Sequence, residues 1–183
     1  LRIAVSTILL ITILGTPNNM ARSDSFFIRA TVPIAAAYNQ TSIDLGSFVD
    51  ALGKTVMRIH NASVTYGSLG SVPITPTGAA AVASFQLTTQ SQTALVGPSN
   101  RSTISSGSLL VAGSAGGDMT VLTESLDIAP QEWTGGYLVA VEQIFLGANL
   151  TLASLVDEVT IVLECTVETM TAAASMALAL SQQ

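Results

Sequence analysis

Residues 159–169, VTIVLECTVET, alternate in polarity with period two, and stretches of the same kind recur along the chain between clusters of Gly, Pro, Ser and Asn. Successive side chains of an extended strand point to opposite faces, so this period calls for strands with one face against a core. Within 159–169, Ile161, Leu163, Cys165 and Val167 share one face, and Val162, Glu164, Thr166 and Glu168 share the other. Residues 25–32 (SFFIRATV) are aromatic and β-branched and predict a first strand ended by Pro33. Residues 42–45 read as a short extended piece, followed by one helical turn over 47–52 opened by a capping-type Ser47. Residues 55–66 alternate without either parity being purely apolar. That is the mark of a strand wetted at the outer ends of both faces, or of a bulge that shifts the register midway.

Gly and Pro make 67–78 a loop, and 80–90 (AAVASFQLTTQ) resumes a strand with Ala83, Phe85, Leu87 and Thr89 toward the core. Residues 91–108 are turn-rich. SLLVAGS and MTVLTESLDI then flank a Gly-rich turn over 113–118, Pro130 closes that region, and 136–146 predicts one long strand. Residues 148–157 read as a loop or short helix, since Leu152, Leu155 and Val156 fall at helical spacing, and the Ala-rich tail reads as a packed terminal helix or a frayed end. Roughly seven to nine strands with turns between them, and no long helix, predict an all-β antiparallel sandwich or barrel.

Composition narrows the chemistry. Charged residues are 10% of the 183 and hydrophobic ones 49%, with a formal net charge of −6, the opposite of a disordered composition. One Cys excludes an intrachain disulfide, and Cys165 lies on an apolar face, where a thiol acts as a small hydrophobe. The single His, His60, falls mid-strand, where an imidazole satisfied by a neighbouring strand is a better account than a catalytic base. The adjacent pair Asp157-Glu158 lacks calcium-loop spacing and reads as a solvated loop or strand edge. Residues 113–117 lack the Lys-Ser/Thr of a phosphate loop and read as a hairpin turn. Arg22, Arg29, Lys54, Arg58 and Arg101 form no cluster in sequence, so no sequence-specific nucleic-acid surface is expected. Trp133 reads as a cap on the end of the core, with an aromatic ligand platform beside a Gly-Gly turn as the alternative. The expectation is a non-enzymatic protein with no catalytic, cofactor-binding or metal-binding residues and no transmembrane span.

The first 19 residues carry one cation and an apolar run over 3–14. They read as a secretory signal or, the favoured reading, as untranslated sequence upstream of Met20, which leaves 20–183 as one domain. Export would make Asn39, Asn61, Asn100 and Asn149 glycosylation candidates.

The stretch SFFIRATVPIAAAYNQTSIDLGSFVDALGKTVMRIHNASVTYG, with its extended opening strand, IDLGSFVDALGK turn and long alternating strand, resembles the amino-terminal part of small single jelly-roll capsid proteins of environmental tailless viruses of the ssDNA type. Across residues 25–170 the similarity is carried by strand count and turn spacing. It implies a jelly-roll sandwich of about eight strands that self-assembles with identical subunits into an icosahedral shell in the virion. A weakly charged surface rich in Ala, Ser, Thr and Val suits that role, because many identical copies must meet without like-charge repulsion. The chain departs from many such proteins in having no Arg/Lys-rich arm after Met20. Genome charge would then be met indirectly, by a second protein, cations or an internal membrane. The alternative expectation is an exported sandwich, secreted or at a cell surface, that binds a ligand such as a carbohydrate through loops 67–79, 91–107 or 130–136.

Overall fold

The computed structural model describes residues 22–50, 54–68, 79–113, 119–122, 131–151 and 157–183. The apolar run at 3–14, most of the 67–78 loop, the turn over 113–118 past Gly113, Pro130 and the helical spacing at 152–156 lie outside the described residues, as do the last positions of the expected turn over 47–52.

Among the described residues nine strands form two antiparallel sheets. They are β1 (Phe26–Pro33), β2 (Asn39–Asp44), β3 (Thr55–Tyr66), β4 (Ala80–Thr88), β5 (Thr103–Gly113), β6 (Met119–Leu122), β7 (Gln131–Val139), β8 (Gln143–Leu150) and β9 (Glu158–Thr169), with a terminal helix α1 (Ala172–Ser181). One sheet has the order β1-β9-β3-β7 and the other β2-β8-β4-β5-β6. The chain changes sheet at every connection except β4 to β5 and β5 to β6. This is the double Greek-key order of a jelly roll, with β6 added as an edge strand beside β5.

The core lies between the inward faces. Val159, Ile161, Leu163 and Cys165 of β9 and Met57, Ile59 and Ala62 of β3 meet Ala81, Ala83, Phe85 and Leu87 of β4 and Ile144, Leu146, Ala148 and Leu150 of β8. Tyr66 meets Phe85 edge-on at 6.2 Å between ring centres, which ties the sheets at one end. The alternation within β3 resolves as a bulge at His60. Met57 and Ile59 face inward before it, Ala62 after it, and pairing with β9 steps from Ile59↔Cys165 to Asn61↔Glu164. One extra residue exchanges the faces, so the apolar set changes parity halfway.

Three expectations are corrected. The single strand over 136–146 is two, β7 and β8, because the chain turns at 140–142, where the Ala140 N–H donates to Gln182 Oε1 (2.9 Å) and Leu45 N donates to the Glu142 carbonyl (2.8 Å). The turn-rich stretch ends at Thr103, where β5 begins, because the small residues Ser105 and Gly107 are accommodated opposite β4 in a ladder that pairs Leu87↔Ser105 and Phe85↔Gly107. The short piece at 42–45 belongs to a longer strand starting at Asn39, paired along β8. Val167 shares the inward face with Ile161, Leu163 and Cys165 and is partly buried at the end of β9, where Thr166 and Glu168 are buried on the outer face. The IDLG turn does form, with the Leu45 carbonyl accepting from Phe48 N (2.8 Å) and Val49 N (2.9 Å).

The tail is a packed helix. Thr171 caps α1 by accepting from Ala174 N, and Ala179 joins Val56 and Ala140 in a second small apolar cluster. Gln182, 4% exposed, anchors the end by bonding Ala140 N and the Leu138 carbonyl.

Candidate functional site

The outer face of the β1-β9-β3-β7 sheet carries the arrangement with most chemistry in it, and backbone irregularity creates it. Between Ile59 and Asn61, β3 inserts His60, while across the ladder β7 passes from Tyr137 to Glu132. Residues 133–136 of β7 therefore stand opposite a single residue of β3. The two strands part there and leave an open depression of about 370 Å³ lined by His60, Asn61, Glu132, Trp133, Thr134 and Glu164. Bulges of this kind re-aim side chains that a regular ladder would keep in strict alternation.

Gly136 makes the bulge possible. Its φ is +70°, and a Cβ there would meet Arg58 Cγ at 2.5 Å and the Ile59 carbonyl at 3.1 Å. Arg58 lies across that gap and donates to the Gly135 carbonyl, so the guanidinium fastens the bulged segment to β3.

Beside the depression, Arg58 also grips Glu168 with two bonds, Nε to Oε1 at 2.8 Å and the terminal nitrogen to Oε2 at 2.7 Å. Arg22 donates from Nε to the same Oε1 at 2.7 Å. The Glu168 side chain is 3% exposed, and two guanidiniums satisfy it. The hydrogen bond from Arg58 is the main cause holding the Glu168 carboxyl below its ordinary range, opposed by burial and helped by Arg22. Arg58 in turn is pushed above its ordinary value, chiefly by its bond to Glu168. Paired guanidinium and carboxylate groups of this geometry hold structure together, since the planar fork matches both carboxylate oxygens.

The residues singled out from sequence fall into place individually. His60 is half-buried with Nε2 3.0 Å from Thr166 Oγ1 on β9, the neighbouring-strand partner expected of it. Cys165 is fully buried, and its thiol is pushed up to about 12, first by burial and then by the Glu164 charge. Asp157 is exposed in a loop and accepts from Ser68 N (3.0 Å) and Ser68 Oγ (3.1 Å), which holds its carboxyl below the usual range. β5 and β6 pair up to Gly113↔Met119, as a hairpin requires. Trp133 packs against the core and sits 6.0 Å from Tyr137 ring to ring, while also lining the depression. It stands within the bulged β7 and not beside a turn, because Gly135 and Gly136 lie inside the strand. Among the described residues no three His, Cys, Asp or Glu stand close enough to hold a metal ion, and no helix is long and apolar enough to cross a membrane.

Sequence reading missed two features. The cations are dispersed along the chain, yet the fold brings Arg22 and Arg58 onto one carboxylate 146 and 110 residues away. On the other sheet Gln86 is fully buried, its amide nitrogen donating to Tyr38 Oη (2.8 Å) and the Ala94 carbonyl (3.0 Å) while its oxygen accepts from Val96 N (2.6 Å). Through these bonds the 91–97 segment lies over the outer face of β4. A polar residue on the outward parity of β4 was the only signal in the sequence.

No protein-family model matches the sequence, and no curated protein is significantly similar to it.

Proposed function

We propose that this chain is a structural subunit, a jelly-roll coat protein whose copies associate through their faces and ends into a closed icosahedral shell of a virion. The observation that carries this reading is the strand order β1-β9-β3-β7 against β2-β8-β4-β5, since the double Greek key is an architecture of viral capsid domains as well as of lectins and cupins. Surface chemistry favours the capsid use. The outer face at β1 and β9 presents Thr31 and Thr160, joined hydroxyl to hydroxyl at 2.8 Å, together with Phe27, which is 55% exposed on the edge strand. Arg29 lies over the Phe27 ring at 5.8 Å, and an exposed aromatic ring beside an Arg side chain is the kind of surface that subunit interfaces favour. Identical copies are the partners. The genome's charge is met indirectly, because no basic stretch follows Met20.

Light scattering of the purified chain across protein concentration, followed by negative-stain imaging, tests the reading. Regular closed particles or capsomers of uniform size are expected above a threshold concentration. A monomer at every concentration and salt would overturn the proposal.

A further inference from the structure

We propose that β1 is a self-pairing edge: the β1 strands of two copies lie antiparallel about a twofold axis at Ile28, with Phe27 of each opposite Arg29 of the other, and join their β1-β9-β3-β7 sheets into one. The choice of a second copy as partner rests on the proposed self-association, and the contact itself rests on the free edge of the sheet.

Among the described residues one sheet ends in β1 and β7 and the other in β2 and β6. A row of unpaired N–H and C=O groups templates another strand, so such edges are usually blunted. β7 is bulged at 133–136, β6 has 4 residues, and β2 presents the exposed Ser42 and Asp44 with no exposed large apolar side chain. β1 is regular, its register with β9 unbroken from Phe26↔Cys165 to Pro33↔Glu158. Hydrogen bonds at its end show which groups are free. Ile34 N donates to the Asp157 carbonyl (2.9 Å), while the Glu158 carbonyl turns away from β1 to accept from Gly67 N (2.8 Å). Antiparallel ladders alternate, so Ile28, Ala30 and Val32 bond to β9, and Phe27, Arg29, Thr31 and Pro33 direct their main-chain groups off the sheet. At Pro33 that row is closed: proline has no N–H, and its carbonyl accepts from Asn39 Nδ2 (3.2 Å). The main-chain groups of Phe27, Arg29 and Thr31 that point off the sheet have no partner among the described residues.

Side chains select the register. A pairing centred on Arg29 would set two guanidiniums directly opposite each other, which is destabilising. One centred on Ala30 would set Phe27 against Pro33, and one centred on Phe27 would set Thr31 against Ser23, whose N–H already donates to the Val167 carbonyl (3.0 Å). Centred on Ile28, the free N–H and C=O groups of Phe27 exchange with those of Arg29 of the second copy. Each guanidinium then lies beside the exposed Phe27 ring of the other copy, the contact that Arg29 already makes with its own Phe27 at 5.8 Å. The next residue in that row is Glu164, paired with Phe27 on β9, so a carboxylate backs the ring that the incoming cation meets. On the inner face the half-buried Ile28 side chains of the two copies meet at the axis and extend the core across the junction. The contact is isologous, the same patch on both copies, and closes as a dimer.

Disulfide trapping in the full chain tests both the contact and its register, on free dimer or particle alike. At the axis the two residues 28 form a pair without mutual hydrogen bonds, with Cα atoms about 4.5 Å apart, within reach of a disulfide. The one native thiol, Cys165, is buried. Under mild oxidation Ile28→Cys is expected to give a covalent dimer on a non-reducing denaturing gel, and Ala30→Cys, whose counterpart is then Phe26, to give none. Adding Arg29→Pro to Ile28→Cys removes a main-chain donor that points off the sheet and leaves the bonds to β9 in place, so the crosslinked fraction should fall about tenfold. Thr31→Pro makes the same test if Arg29→Pro does not fold, and thermal unfolding confirms that each variant is folded. The proposal is overturned if folded Ile28→Cys stays uncrosslinked, if Ala30→Cys crosslinks as readily, or if a folded proline variant crosslinks as before. Covalent dimers without closed particles sustain the edge contact and overturn the shell, whereas closed particles whose Ile28→Cys subunits stay uncrosslinked sustain the shell and overturn the edge contact.

Discussion

Glu168 shows how one side chain can tie distant parts of the chain together. It is buried on the outer face of the first sheet, near the end covered by α1, and it is held by Arg58 from β3 and Arg22 from the segment before β1. An unpaired carboxylate in that place would be costly, and a well-formed pair offsets the cost. Glu168→Gln leaves Arg58, whose side chain is 16% exposed, without its counter-charge, so a loss of about 3 kcal/mol at neutral pH is expected by urea denaturation. The pH dependence has a definite sign. The folded-state value of Glu168 lies below its ordinary 4.5, so its contribution is present above that value and is lost as pH falls through the folded value. Between about pH 3 and pH 5 the stability of the Gln variant should therefore fall less steeply than that of the parent. Parallel slopes would show that the pair contributes nothing to acid sensitivity. Arg22, 53% exposed, should matter far less than Arg58.

At the scale of elements, β3 and β7 depart most from regular geometry, and the departure depends on Gly136. Gly136→Ala would place a methyl group against the aliphatic part of Arg58 in a backbone conformation that alanine rarely adopts. We expect a loss of about 2 kcal/mol, seen as a lower midpoint in urea denaturation, because both Arg58 anchors must shift. Gly135→Ala is the internal control, since a Cβ there meets nothing within 4 Å. An equal loss in the two variants would mean that the bulge conformation is not what Gly136 supplies. The terminal helix is held in a different way. With no charge and few buried residues of its own, α1 is fixed by the small apolar cluster of Ala179 with Val56 and Ala140 and by Gln182, which hydrogen-bonds Ala140 N and the Leu138 carbonyl at the end of β7.

For the whole molecule, charge sets how copies would meet. Each chain carries a formal net charge of −6, so copies repel weakly over a screening length of roughly 10 Å at 0.1 M salt. If association runs through uncharged faces, added salt relieves this repulsion and strengthens the apolar contacts. The threshold concentration for assembly should then fall as NaCl rises from about 20 mM to about 500 mM, measured by light scattering. A threshold that rises with salt would point to interfaces built from opposite-charge pairs, contrary to the proposed surface.

The strands themselves were legible in the sequence, because a sheet buried on one face imposes a two-residue period that local composition records. Residues 55–66, 80–88 and 159–169 are the clearest cases, and even the bulge in β3 was foreshadowed by its mixed parity. The separation of β7 from β8 was not legible, since residues 136–146 are continuously strand-like and the turn depends on Gln182 and Leu45, both remote in sequence. Glu168 likewise looked like one of several dispersed acids. Its pairing with Arg22 and Arg58, and the gathering of Trp133, Glu132, Asn61 and Glu164 around one depression, arise from the alignment of β3, β7 and β9. Period and propensity are properties of neighbours along the chain, so the sequence alone determined the strands and the all-β class. Long-range charge pairing and the opening of a bulge depend on which strands lie side by side, and only the tertiary structure decided those.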